Sequence, residues 1–234
     1  MSDQPAPQPT LQPAVGWAPE AGVGISLAVT VFGFSVIMLG LFNAHVVTPN
    51  GSGFFVPIAF GTGFLGLLVG GLFEYRANNV FGGTFCLLYA CFLATTGLML
   101  KQFQPSLLAA AGAGGFGDAF GSWLLLWCVF TFALSLGAYH INMPAFLAFI
   151  LLAIAYLLLG TANIINTVST ANTLFKVGGW VLIADGLVAW YLGWALAVNA
   201  LLPGRQLPLW PYPYSEEAET TQAAVPPAAA APTG

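Results

Sequence analysis

The feature that most constrains this chain is a series of six apolar runs, at residues 24–43, 54–73, 80–100, 120–139, 144–165 and 177–202. Each is long enough to cross a bilayer, because roughly 20 residues of α-helix span a hydrocarbon core of about 30 Å. Lipid offers no water to unpaired N–H and C=O groups, so only helices and closed barrels traverse it. Barrel strands read as segments of about ten residues with alternating polarity, whereas these runs are longer and apolar on every face. Only 5% of the residues are charged and 58% are hydrophobic, against about a quarter charged in a soluble domain. The expected fold class is an all-α polytopic membrane protein with six transmembrane helices, its first partner being the lipid bilayer.

The flanks read differently. Residues 1–22 hold Pro5, Pro7, Pro9, Pro13 and Pro19 among Ala and Gln, and residues 215–234 hold Pro226, Pro227, Pro232 and an alanine run. Neither buries enough apolar area to fold, so both are expected as disordered tails around a transmembrane domain at 23–214. Glu216, Glu217 and Glu219 cluster in the second tail and the net charge is −4, which argues against nucleic acid as a partner. The first basic residue is Arg76, so the positive region of a cleaved secretory signal is missing and no cleavage is expected. Cys86, Cys91 and Cys128 are odd in number and lack metal-site spacing. They read as packing residues, with no disulfide and no metal. No phosphate loop, nucleophile elbow or paired-histidine helix occurs, so neither an enzyme nor a cofactor is indicated.

The connectors at 49–53 and 75–79 are short, which makes neighbouring helices antiparallel. The third connector, with Gly112, Gly114, Gly115 and Gly117, reads as a flexible extramembrane loop. An even number of spans puts both ends on one side. Arg76 and Arg205 fall there while Lys101 and Lys176 fall opposite, so the count of positive charges leaves the orientation open. Gly66 and Gly70 share a helical face and predict close helix contact, either within one subunit or around a pore or between subunits. Trp123, Trp127, Trp190, Trp194 and Trp210 read as interfacial belts.

Polar groups at membrane depth are few. Asp185 lies well inside the last span, where a carboxylate must carry a proton or find a donor. Ser35, Thr84, Tyr89 and Asn163 add neutral donors and acceptors, and no Lys or Arg falls mid-span. An anion would then be held by hydroxyls, amides and helix N-termini, a weak grip suited to fast passage.

The stretch Gly70-Gly-Leu-Phe-Glu74-Tyr-Arg-Ala-Asn-Asn79-Val-Phe-Gly82-Gly-Thr84-Phe-Cys-Leu-Leu-Tyr89 resembles the acetate uptake transporter family, also called the succinate–acetate permease or GPR1/FUN34/YaaH family. Leu126-Trp127-x-Val129-Phe130-Thr131, Ala162-Asn163-Ile164, Gly178-Gly179-Trp180, Ala189-Trp190-Tyr191 and Arg205-x-Leu207-Pro208 extend the likeness over every span. The resemblance implies a six-helix subunit in a homohexamer, with an hourglass pore in each protomer. It also implies placement in the cell membrane with both termini cytoplasmic. The cargo it implies is acetate, succinate or a similar short acid, moved passively or with protons. It places a hydrophobic constriction at Phe32, Tyr89 and Leu152, and adds Glu74 and Asn79 to the polar residues expected along the pathway, with Ser35, Thr84, Asn163 and Asp185. The family's Asn-Pro-Ala-Pro-Leu-Gly-Leu motif is absent, Val23-Gly-Ile-Ser-Leu-Ala-Val29 standing in its place, and its second-span Tyr-Gly-Gly and Gln are missing too. That leaves open a pore for small neutral solutes such as water, ammonia or urea, or a non-transporting accessory role.

Overall fold

The computed structural model describes residues 22–165, 168–202 and 206–211, and every regular element among them is helical. Residues 1–21 of the first expected tail, the whole of the second and Arg205 lie outside the described residues. Five helical segments are long and apolar enough to cross a membrane, namely Val23–Asn43, Asn50–Arg76, Val80–Ala138, Met143–Ile164 and Ser169–Asn199. We label the packing units α1 (Val23–Asn43), α2 (Asn50–Arg76), α3 (Val80–Leu98), α4 (Gln104–Ala138), α5 (Met143–Ile164) and α6 (Val168–Asn199).

The glycine-rich connector differs from expectation. It is helical: a wide π turn at Met99–Phe103 leads straight into α4. The reversal that a loop was expected to supply comes at Gly112, whose φ of 69° breaks the helix where a side chain would be strained. Residues 105–115 are exposed on all sides, so glycine costs little packing there. Beyond the break the chain comes back along α3. Phe81 fills the space at Gly137, Tyr89 bonds Thr131, and Phe92 packs edge-on to Trp127, an antiparallel pairing.

The other pairs consecutive in the chain, and α1 with α6, are antiparallel as well, and these pairs close a ring. Gly24 and Gly70 press backbone against backbone across α1 and α2, with Gly66 under Val31. The close contact expected of Gly66 and Gly70 is therefore made within one chain. Gly121 meets Gly160 across α4 and α5, and Gly33 and Gly40 meet Gly186 and Gly179 across α1 and α6. In lipid such small-residue seams supply van der Waals contact where no hydrophobic force exists between helices. The stretch 206–211 folds back on the same end: Asn199 is hydrogen-bonded to Leu207 through both side-chain atoms, and the Tyr191 hydroxyl donates to the Pro208 carbonyl (2.6 Å). Trp127 is buried among Tyr89, Phe92 and Tyr156, so it is a core residue and not part of an interfacial belt.

Candidate functional site: an apolar cavity closed by an aromatic floor

Four of the helices, α1, α3, α5 and α6, enclose a cavity of about 440 Å³. It lies toward the end of the ring where α1, α3 and α5 begin, near Gly22, Asn79 and Asn142. Its wall repeats at helical spacing: Ile25, Val29 and Phe32 on α1, Phe81, Phe85 and Tyr89 on α3, Ala145, Phe149 and Leu152 on α5, and Leu196, Leu192 and Ala189 on α6. The deepest member on each helix is Phe32, Tyr89, Leu152 or Ala189, so the three residues expected at the constriction meet at the cavity floor. Phe32 and Tyr89 lie edge to face with ring centroids 5.7 Å apart, a favourable quadrupole arrangement that fixes both rings. The Tyr89 hydroxyl is hydrogen-bonded to Thr131 Oγ1 at 2.7 Å. A buried phenol needs such a partner, and here the bond ties the floor to α4, which does not line the cavity.

Glu74 and Asn79 build the mouth. Glu74 is fully buried, and its carboxylate accepts from the backbone N–H of Gly22 (2.9 Å), Gly24 (2.7 Å) and Ile25 (3.1 Å) and from Asn79 Nδ2 (2.6 Å). Glu74 thus caps α1 from across the bundle, placing a negative charge on the positive end of that helix. Asn79 in turn caps its own helix, accepting from the Gly82 N–H at 3.0 Å. A Cβ at position 82 would run into the Asn79 side chain. The Glu74, Asn79 and Gly82 of the sequence motif therefore form one connected structural unit, of which Asn79 and Gly82 also face the cavity.

The chain matches the GPR1/FUN34/yaaH family over residues 8–207. It belongs to that family. Its relatives include the ammonia transport outward protein 2 of Saccharomyces cerevisiae, 30% identical over 80% of this chain and 66% of the relative. Acetate permease A of Emericella nidulans is 30% identical over 75% and 60%, and the succinate-acetate/proton symporter SatP of Escherichia coli is 27% identical over 76% and 89%. The chain thus spans less than two thirds of acetate permease A and nearly all of SatP. Among solved structures, that of the bacterial acetate channel SatP superposes with a TM-score of 0.69, at 24% identity, over 81% of this chain and 99% of the other. That likeness establishes the fold.

Against this family background the remaining polar residues sort by their partners. Ser35 is buried and donates to the Val31 carbonyl (3.0 Å), Thr84 pairs with the Tyr75 hydroxyl (2.8 Å), and Asn163 donates to the Leu159 carbonyl (2.8 Å). None of the three lines the cavity. Asp185 is fully buried beyond the floor, and neither of its oxygens has a hydrogen-bond partner. Sequence reasoning gave no site role to Asn142, Thr131 or Tyr156. Asn142 caps α5 by accepting from the Ala145 N–H (2.9 Å) and lines the mouth. The pattern Asn142-Met-Pro144 was its signal, since a proline in the first turn after Asn marks a helix start. Thr131 was visible only as the end of a family-like stretch with no role attached, and Tyr156 carries no local signal, being recognisable only from what it faces.

Proposed function

We propose that this chain is a membrane transporter or channel for a small monocarboxylate, acetate or a similarly short acid, passing it passively or linked to protons. The observation that carries this reading is the cavity ending on the Phe32, Tyr89 and Leu152 floor. A volume of about 440 Å³ holds an anion of a few heavy atoms with several waters, each taking about 30 Å³. The first turns of α3 and α5 border it, so their N-terminal partial charges draw an anion inward without a fixed cation. The apolar floor then favours solutes small enough to shed water and slip past. The names of SatP and of acetate permease A agree with this cargo.

The 59-residue segment Val80–Ala138 would reach about 88 Å if straight, far beyond one bilayer. Its folding back at Gly112 supports two crossings, hence six per chain, with both ends on one face. We extend the reading to an hourglass pore in each protomer of a homohexamer, in the cell membrane with cytoplasmic termini, as the family resemblance implies.

The direct test is uptake of labelled acetate into proteoliposomes from roughly pH 5 to pH 8, spanning fully and partly ionised acid. Flux above protein-free vesicles is expected, and its absence at every pH overturns the proposal. A pore for small neutral solutes is favoured by one observation, that no charged side chain lines the cavity among the described residues. Osmotic swelling without any carboxylate separates the two.

A further inference from the structure

The four faces that line the cavity continue past its floor, and their chemistry changes there. One to two turns deeper, α1 presents Val36, α3 presents Leu93 and Thr96, α5 presents Tyr156 and α6 presents Asp185, all buried. Asp185 stands one turn beyond Ala189, on the same stripe of α6 as Leu192 and Leu196. Both its oxygens lack a partner, as does Thr96 Oγ1. Buried polar atoms are almost always paired, and an ionisable group at membrane depth is costly unless it serves a pathway. The groups facing Asp185 make the case sharper. Tyr89 from α3 and Tyr156 from α5 are within electrostatic reach, and α1 carries no titratable side chain at all. Beyond Tyr156, α5 carries none either, while α3 adds only Cys86 and Cys91, the first buried against Gly71 and the second exposed. Among the described residues, no cation therefore neutralises Asp185 from a packed element.

Resting on the transport reading above, we infer that Asp185 is the proton-binding gate of the passage, which admits a carboxylate only when Asp185 holds a proton. The step is a single protonation, Asp185 carboxylate plus one proton from water giving the neutral carboxyl. In the ionised form an uncompensated negative charge stands just behind the constriction and repels an incoming carboxylate. In the protonated form the repulsion is gone, and the Asp185 hydroxyl becomes a donor for an anion that has lost its water at the floor. Flux through the protein accordingly rises as pH falls.

The test compares the full chain with Asp185→Asn and Asp185→Glu in vesicles, measuring labelled acetate flux against pH after subtracting the leak through protein-free vesicles. Two like charges about 10 Å apart at an effective dielectric near 20 slow passage roughly tenfold. Asp185→Asn, permanently uncharged, is therefore expected to match wild type at acid pH, to conduct up to about tenfold faster at the alkaline end where the buried wild-type carboxyl ionises, and to lose the pH dependence, while Asp185→Glu keeps it. An infrared carboxyl band that titrates in wild type and vanishes in Asp185→Asn is the second expected result, independent of flux. Wild-type flux with an unchanged pH profile in Asp185→Asn overturns the gate and leaves the transporter standing, and so does a carboxyl band that does not titrate. No flux in wild type overturns the transporter and the gate together.

Discussion

The two ends of the passage use polar atoms in opposite ways. At the mouth, Glu74, Asn79 and Asn142 all have their acceptor atoms occupied by helix N-termini or by one another. Below the floor, Asp185 and Thr96 have none. The same residue types thus perform different work according to what surrounds them. A carboxylate with four donors is a structural rivet, because removing it strands the N–H groups it served. A carboxyl with no donor contributes nothing to holding the helices and costs stability by being there. The mouth is built for rigidity, and the gate proposed for Asp185 draws on an inner half whose polar atoms are left unbonded.

The largest effect expected from breaking this contrast is at Glu74. Replacing it by Ala removes the acceptor for three backbone N–H groups and for Asn79, and should cost about 3 kcal/mol or more, read as a fall in the unfolding midpoint in detergent. Stability within about 0.5 kcal/mol of wild type would show that solvent replaces the cap. Next comes Gly24→Val, which drives a side chain into the Gly70 carbonyl and should cost about 1–3 kcal/mol by prising α1 from α2.

At the floor itself, Tyr89→Phe keeps the ring against Phe32 but leaves Thr131 without its partner, an expected loss of about 1–2 kcal/mol. Tyr89→Ala additionally opens the floor, so uptake should extend to bulkier acids while short-acid flux persists. A substrate profile identical to wild type would remove Tyr89 from the constriction. The smallest effect is expected at Thr96→Val, which deletes an orphaned hydroxyl of nearly the same volume. Stability should be unchanged or higher by up to about 1 kcal/mol. A clear loss instead, on equilibrium unfolding, would mean that Thr96 already bonds a water or Asp185.

Much of the fold was legible because its cause is local. Apolar runs of bilayer length and the short connectors after the first two spans fix helices and their antiparallel order, since in lipid the backbone has no alternative; their ends were less legible, the last helix spanning Val168–Asn199 where the apolar run begins only at 177. The glycine-rich connector misled because glycine there marks a break inside a helical segment and not a loop; flexibility and a positive φ at one residue look alike in sequence. Trp127 misled for a related reason, as an aromatic residue in a span reads as a belt until its neighbours Tyr89, Phe92 and Tyr156 are seen around it.

The sequence by itself determined that this chain lives in a membrane as helices and which motif relates it to its family. Only the tertiary structure decided what each polar residue is for. Glu74 meets Gly24 across 50 residues of chain and Tyr89 meets Thr131 across 42, and no local pattern encodes contacts at such separation. A hydrogen bond is a property of two atoms brought together by packing, so whether a buried acid is a cap or a gate is settled by its partner and not by its name.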